Sequence, residues 1–372
     1  MHNHHFFSFL KNRELDELYL SIAIRSFALS MISVFIPLYL LSLDYGLNKV
    51  FYFYIVMEVF WIISVFPAAK LASRFGFKHS ILFSVPLLIV GYVLLFSLKA
   101  FPKSFFIIPA LLGINFAMFW IGYHVDFAKF SKKGKRGKEV GASKILSSVF
   151  SSAGPIIGGL ILSLIGFKSL FVIVSFLLLA STAPLFFSRD IHEPLTVSFK
   201  KLFKSHRIKD FLGFSAWGFE FGVEAIIWPV IIFLLITKNY VSLGVFKSIT
   251  LFATMLVVFL VSKISDKHQK FLLRAGSVFL FAIWIARSFI KTTTGVIGTN
   301  AVYGLVKPSQ SIPFEMISYD KANSEGIVLT IVFREVSIHL GRITLFIILA
   351  LTENIILGFF MAMAGSLMYL FL

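Results

Sequence analysis

"YHVDFAKFSKKGKRGKEVG", residues 123–141, sets Lys129, Lys132, Lys133, Lys135, Arg136 and Lys138 directly behind a long apolar run. Three readings compete for it: a nucleic-acid patch, a disordered basic tail, or a loop at the edge of a membrane. Composition decides between them. Of 372 residues, 58% are hydrophobic and 14% charged, and the mean hydropathy is +0.89. Soluble globular chains average roughly 45–50% apolar and about 25% charged, so this chain has too few polar groups to cover a water-facing surface. Its net charge of +17 would suit nucleic acid. Membrane proteins, however, gather the same Lys and Arg in short loops on their cytoplasmic side. The stretch is a loop between membrane spans, its cations set against anionic lipid headgroups. Nucleic acid drops out as a partner, and a soluble enzyme is excluded.

Working outward from this loop, a hydrocarbon core about 30 Å thick needs roughly 20 helical residues. Apolar runs of that length fall near 18–42, 47–68, 77–98, 104–127, 141–165, 168–187, 211–236, 241–262, 271–290, 295–317, 325–350 and 353–372. These are spans one to twelve. The first is too long for a signal-peptide core and has no small-residue cleavage site, so it is expected to be retained. Alternate connections, starting from the N-terminus, hold 22 Lys and Arg against 6 in the others, which predicts both termini in the cytoplasm. There is no cysteine, so disulfide and Cys-metal chemistry are ruled out. The "HNHH" tip at 2–5 reads as solvated chain rather than a metal site.

The longest connection, 188–210, divides the spans six and six. The expected domains are an N-terminal bundle (1–187), a cytoplasmic linker (188–210) and a C-terminal bundle (211–372). A shift near 193 residues lays Leu18 on Phe211 and Lys70 on Lys263, and so aligns "KLASRFGFK" (70–78) with "KISDKHQK" (263–270). A duplicated six-span unit is a transporter design, with the site between the copies. At this point the chain resembles the major facilitator superfamily over its whole length. The family's signature after span two, roughly Gly-x-Leu-Ala-Asp-Arg-x-Gly-Arg-Lys, is similar to "AKLASRFGFK" at Leu71, Ala72, Arg74, Gly76 and Lys78. Ala69 and Ser73 depart from it. The second copy keeps Asp266 and Lys267 without the Gly. "SSAGPIIGG" (151–159) in span five is similar to a Gly-Pro-x-x-Gly-Gly signature of many antiporters in that family. There Gly154, Gly158 and Gly159 allow close helix approach and Pro155 bends the span. The resemblance implies an all-α membrane protein with twelve transmembrane helices in two pseudo-symmetric six-helix bundles. It further implies that spans one, four, seven and ten line a central cavity, with two, five, eight and eleven beside them.

Charge at the bilayer centre is costly, about 2.5–3.5 kcal/mol on insertion scales, so each intramembrane ionisable residue is a functional candidate. The sequence offers Arg25, Glu58, His124, Asp126, Glu220, Glu224, Arg287, Lys307, Arg334, Glu335, His339 and Arg342. Glu58, Glu224, Lys307 and His339 are the deepest. Arg287 reads as an anchor at the outer interface, and His124 and Asp126 as residues of the inner interface. Glu220 and Glu224 stack at i and i+4, and Glu335, His339 and Arg342 form a second stripe. A low-dielectric wall favours a protonated carboxyl, which makes Glu58 and Glu224 proton carriers, with Glu220, His339 and Asp126 beside them. Lys307 sits next to Pro308, where a proline frees backbone carbonyls, with Ser309 and Gln310 following. The expected substrate contacts are Lys307, Gln310, Arg25, Arg334, Arg342 and Trp120, with Trp217 and Trp228 flanking an apolar part of the ligand. Glu224 is the expected partner of Lys307. Arg74, Gly76, Lys78, Asp266, Lys267, Gly154, Pro155 and Gly158 form the gating motifs.

The function that follows is a proton-coupled secondary transporter of a small organic solute, working by alternating access, with efflux among the directions open to it. No phosphate-binding Gly-x-x-x-x-Gly-Lys-Ser/Thr loop is present, and no cofactor or metal is expected. The partners are solute, protons and the lipid bilayer, with the chain a monomer in the plasma membrane. A lipid or lysolipid flippase on the same scaffold is the first alternative. A non-transporting membrane sensor or scaffold, with its charges fully paired, is the second.

Overall fold

A helix is the only open-ended way to carry a chain through lipid with every backbone amide paired, and the fold follows from that. The computed structural model describes residues 13–187 and 208–372. The "HNHH" tip and nearly all of the 188–210 linker lie outside the described residues. Within them the chain is helical, and nine helices are long and apolar enough to cross a membrane. Span one is Arg13–Ile32 continued through a short 3-10 turn into Ile36–Ser42, and spans two to four are Leu47–Phe75, Phe77–Phe96 and Ile107–Phe130. Spans five and six are Arg136–Leu164 and Gly166–Ala180. Tyr240–Ser288 is one continuous run of 49 residues. A straight helix of that length would reach about 74 Å, more than twice the hydrocarbon thickness. The run breaks at His268 (φ −130°, ψ 38°), inside the basic turn, and so supplies spans eight and nine. With span seven, Ile208–Thr237, the helices Thr293–Glu325, Ile327–Thr352 and Leu357–Met368 complete the twelve.

Span seven is irregular for an identifiable reason. Pro229 has no amide to give and its ring crowds the carbonyl one turn back. The helix widens into π-turns on both sides, Val223–Ile227 and Phe233–Thr237, and Glu224 sits in the first of them.

The sharp turns use glycine where the backbone requires it. Gly76, at φ +98°, ends span two with its amide on the Ala72 carbonyl at 2.8 Å, and span three starts at the next residue. Gly134 (φ +83°) and Gly326 (φ +112°) turn the chain after spans four and ten, a separation close to the repeat shift. Loss of a side chain also brings helices together. A Cβ at Gly154 would meet the Ser30 side chain and one at Gly158 the Met31 carbonyl, both on span one. One at Gly159 would lie 2.7 Å from the Tyr240 carbonyl on span eight. The first two contacts stay within one bundle, and the third joins the two bundles.

Candidate functional site

Between the bundles lies a cavity of about 350 Å³, within the size range of small-molecule sites. Most of its wall is apolar or aromatic: Phe116 and Trp120 of span four, Trp217 and Phe221 of span seven, Met57 and Trp61 of span two. Its charged face is Glu58 opposite Arg334, Glu335, His339 and Arg342 of span eleven, with His124 and Glu315 at one end.

Span eleven's stripe makes a chain of contacts with span two. Arg342 donates to Glu58 Oε1 at 3.4 Å, and His339 Nδ1 pairs with Glu58 Oε2. The other ring nitrogen, Nε2, lies 3.4 Å from Glu335 Oε2, and Arg334 donates to Glu335 Oε1 at 2.6 Å. The order is cation, acid, imidazole, acid, cation, and the first acid belongs to the other bundle. Trp61 covers the imidazole with ring centroids 3.8 Å apart. Arg342 lies 4.6 Å over Phe221. All five members of the chain are buried, Glu58 to 0% exposure.

A second cluster stays inside the C-terminal half, away from the cavity wall. Glu224 binds Arg287 at 2.5 Å and Lys247 at 3.0 Å. Arg287 also donates to Asn300 Oδ1 at 2.8 Å and lies among the rings of Trp228, Trp284 and Tyr303. Glu220 takes Lys307 and the Tyr303 hydroxyl, and Lys307 also donates to Gln310 at 2.7 Å and sits 4.6 Å over Trp217. Lys307 therefore pairs with Glu220 and not with Glu224. The π-turn rotates Glu224 off the stripe it would share with Glu220 in a regular helix, toward spans eight and nine. Arg287 is no interface anchor: it is fully buried, because Glu224 and Asn300 satisfy it inside the bundle.

The remaining expected residues divide in the same way. Trp120, Arg334, Arg342, Glu58 and His339 line the cavity, whereas Lys307, Gln310, Arg25, Glu220, Glu224 and Asp126 do not. Trp217 lines it and Trp228 does not; the Trp228 indole donates to Asn300 at 2.9 Å. Arg25 donates to Asn115 at 3.2 Å and lies 3.7 Å over Phe119. His124 and Asp126 are buried within the protein, at 5% and 2% exposed. His124 reaches across to Tyr319 at 2.7 Å, because the bundles meet at this depth. Lys144, Lys247 and Glu315 went unread in the sequence although each lies inside a span. Lys144 and Glu315 form a cross-bundle pair at 2.9 Å.

The basic end of the molecule is closed by contacts between bundles. Arg136 pairs with Asp320, and the Asn323 amide donates to the Ala128 carbonyl at 3.0 Å. Asp266 accepts from the Gly137 amide at 2.8 Å, a carboxylate at the N-terminus of the span-five helix, where the helix dipole favours it. In the first copy of that motif Lys78 pairs with Glu17 at 2.7 Å, Arg74 lies 5.2 Å over Phe75, and Ser73 stands where the second copy has its acid.

Two helical bundles around a central, mainly apolar cavity with one charged face define a multi-pass membrane protein of the transporter kind. The sequence profile of the Major Facilitator Superfamily matches residues 18–333, and the chain belongs to that family. Among solved structures it is similar to a variant of the E. coli fucose:proton symporter, at a TM-score of 0.68 and 13% identity over 96% of this chain and 97% of that one. It is also similar to a structure of that Major Facilitator Superfamily transporter in the outward conformation, at 0.69 and 11% over 96% of each chain. At these identities the likeness is one of fold. Among curated proteins, none is significantly similar in sequence.

Proposed function

We propose that the protein is a proton-coupled secondary transporter of a small organic solute in the plasma membrane, with Glu58 and His339 as the proton site. Arg334, Arg342 and Trp120 belong to the solute site. The observation that carries this is the placement of His339 between two carboxylates. A neutral imidazole has one N–H and one lone pair, so it can donate to only one of them. The second contact needs one more proton, on the ring or on a carboxyl. The relay is therefore built to hold a proton between the two bundles.

Alternating access rocks one bundle against the other around such a site. Glu58 travels with the N-terminal bundle (1–187) and His339 with the C-terminal one (211–372), so the rocking motion and the proton's position are linked. Arg136–Asp320, Lys144–Glu315 and Asp266–Gly137 then act as the gate at the basic end, which the loop charges assign to the cytoplasm. Arg74, Gly76, Lys78 and Lys267 shape the turns beside it. Gly154, Pro155 and Gly158 hold spans one and five together. Glu224, Glu220, Lys307 and Gln310 take a structural part, since each has its partner within one bundle. A scaffold or sensor would have no need of an open site, and the cavity of about 350 Å³ between the bundles counts against it.

Trp61 reports on the proposal without any substrate, because a protonated imidazole quenches an indole stacked on it. Tryptophan emission of the purified protein should fall reversibly on acidification, and Trp61→Phe should remove that change. His339→Gln should remove it as well. An unaltered pH response in His339→Gln would rule out the proton site.

A further inference from the structure

The relay leaves the cavity with a charge to balance, and its wall says what balances it. We infer that the solute is a small organic monoanion with a flat apolar body, carried in the same direction as the proton; this rests on the proton-linked reading above. The groups around the relay come from six helices. Span two gives Glu58 and span eleven Arg334, Glu335 and Arg342. Span four gives His124, whose Nδ1 lies 2.7 Å from the Tyr319 hydroxyl of span ten and whose Nε2 lies 3.9 Å from Glu335 Oε1. Glu315, also of span ten, is offset by Lys144 of span five at 2.9 Å, and Glu220 of span seven by Lys307. Two carboxylates and two guanidiniums cancel within the relay. The proton at His339 is left over, so the proton-loaded wall carries one uncompensated positive charge. In a low-dielectric site a neutral solute leaves that charge unmatched and a cation adds to it, whereas a monoanion cancels it.

The unsatisfied atoms point the same way independently. Among the described residues, the buried side-chain atoms of the cavity wall that lack a hydrogen-bond partner are Trp61 Nε1, Arg334 Nε and Arg342 Nε. All three are donors. A carboxylate or similar oxyanion brings only acceptors, and its bonds to guanidinium are the strong charge-assisted kind. The rest of the wall is mainly aromatic and aliphatic, so the body of the solute is apolar and flat enough to lie between Trp120, Trp217 and Phe116. A sugar would find few neutral hydrogen-bonding groups there.

The same geometry sets the direction. Arg342 is held by Glu58 through a single bond of 3.4 Å. A proton on the Glu58–His339 pair offsets the charge that holds it, and the guanidinium turns to the substrate anion. Proton and anion thus favour each other's binding, and by linkage the effect is mutual. The doubly loaded cavity has the same net charge as the empty, deprotonated one, and both can cross between states.

Calorimetry on the full-length protein tests this with benzoate and 2-naphthoate, their amides, and the matching arylmethylamines, at pH 5.5 and 7.5 in buffers of different ionisation enthalpy. The carboxylates should bind about tenfold or more tightly at the lower pH, with uptake of one proton, as expected for a coupled site. Arg342→Gln should weaken carboxylate binding about tenfold or more, the loss of one charged contact, without changing the amide. Arg342→Lys, which keeps the charge but loses Nε, should show a smaller loss in the same direction and serves if the Gln variant does not fold. Equal or tighter binding of the amide or amine, or no carboxylate binding at either pH, overturns the substrate class. Amine binding with proton release would do so while leaving proton-linked transport standing. Carboxylate binding with no proton exchanged would instead remove the proton link.

Discussion

Two charged clusters are buried in this membrane protein, and they differ in one respect. The Glu58–His339–Glu335 relay joins the two bundles, whereas the Glu224–Arg287–Lys247 and Glu220–Lys307 pairs have every partner in the C-terminal half. When one bundle rocks against the other, the second cluster moves as a unit and keeps its contacts. The first has to exchange them. Under the proposed function, the position of the partner, and not depth or charge alone, marks the transport site.

The largest difference between the clusters should appear in stability. Removing one member of a buried pair leaves its partner charged and unsatisfied, at a cost of about 3–5 kcal/mol. Glu224→Ala does this to Arg287, which is 0% exposed, and should lower the melting temperature sharply; Arg287→Met added to it should restore much of the loss. Glu58→Gln keeps the shape of its side chain and leaves Arg342 at the cavity wall, and should cost only about 1–2 kcal/mol, the scale of a weakened buried hydrogen bond. Equal destabilisation by Glu224→Ala and Glu58→Gln in thermal unfolding would erase the distinction.

A smaller effect uses the two neighbouring glycines of span five. Gly158 faces span one in its own bundle and Gly159 faces span eight in the other. Gly158→Val should destabilise by about 1–3 kcal/mol, the cost of overpacking. Gly159→Ala should act chiefly on the contact between bundles, raising the reactivity of a cysteine placed in the cavity while the melting temperature changes less. The reverse order would mean that the bundles do not separate along this seam.

Sidedness can be tested with almost no effect on stability. The chain has no cysteine of its own, and Lys103 and Lys133 are both exposed at connections on opposite ends. Lys103→Cys should react with an impermeant thiol reagent from outside intact cells, and Lys133→Cys only after lysis. Outside labelling at both would contradict the assignment of the basic end to the cytoplasm.

Much of this was legible in the sequence. Span lengths, the repeat and the glycine signatures follow from hydrocarbon thickness and close packing, which act on local residue patterns. The members of span eleven's stripe were legible because helical spacing alone puts Glu335, His339 and Arg342 on one face. Which residue pairs with which was not legible. The Lys307 partner is Glu220 because a π-turn at Val223–Ile227, widened around Pro229, swings Glu224 away. A backbone irregularity of that kind leaves only a proline as its sign. Arg287 looked interfacial from its place near the end of span nine, yet a carboxylate on a different helix holds it inside. Lys144, Lys247 and Glu315 were readable as charges within apolar runs, and their cross-helix pairing explains how the runs tolerate them.

The central claim is that the proton is bound by the relay between bundles and not by the cluster within one. Proteoliposomes on a solid-supported membrane, given a rapid pH step without any substrate, measure proton-binding charge displacement directly. A displacement is expected in the native protein, persisting in Glu220→Gln with Lys307→Met and lost in His339→Gln. Persistence in His339→Gln together with loss in the Glu220–Lys307 double variant would contradict it.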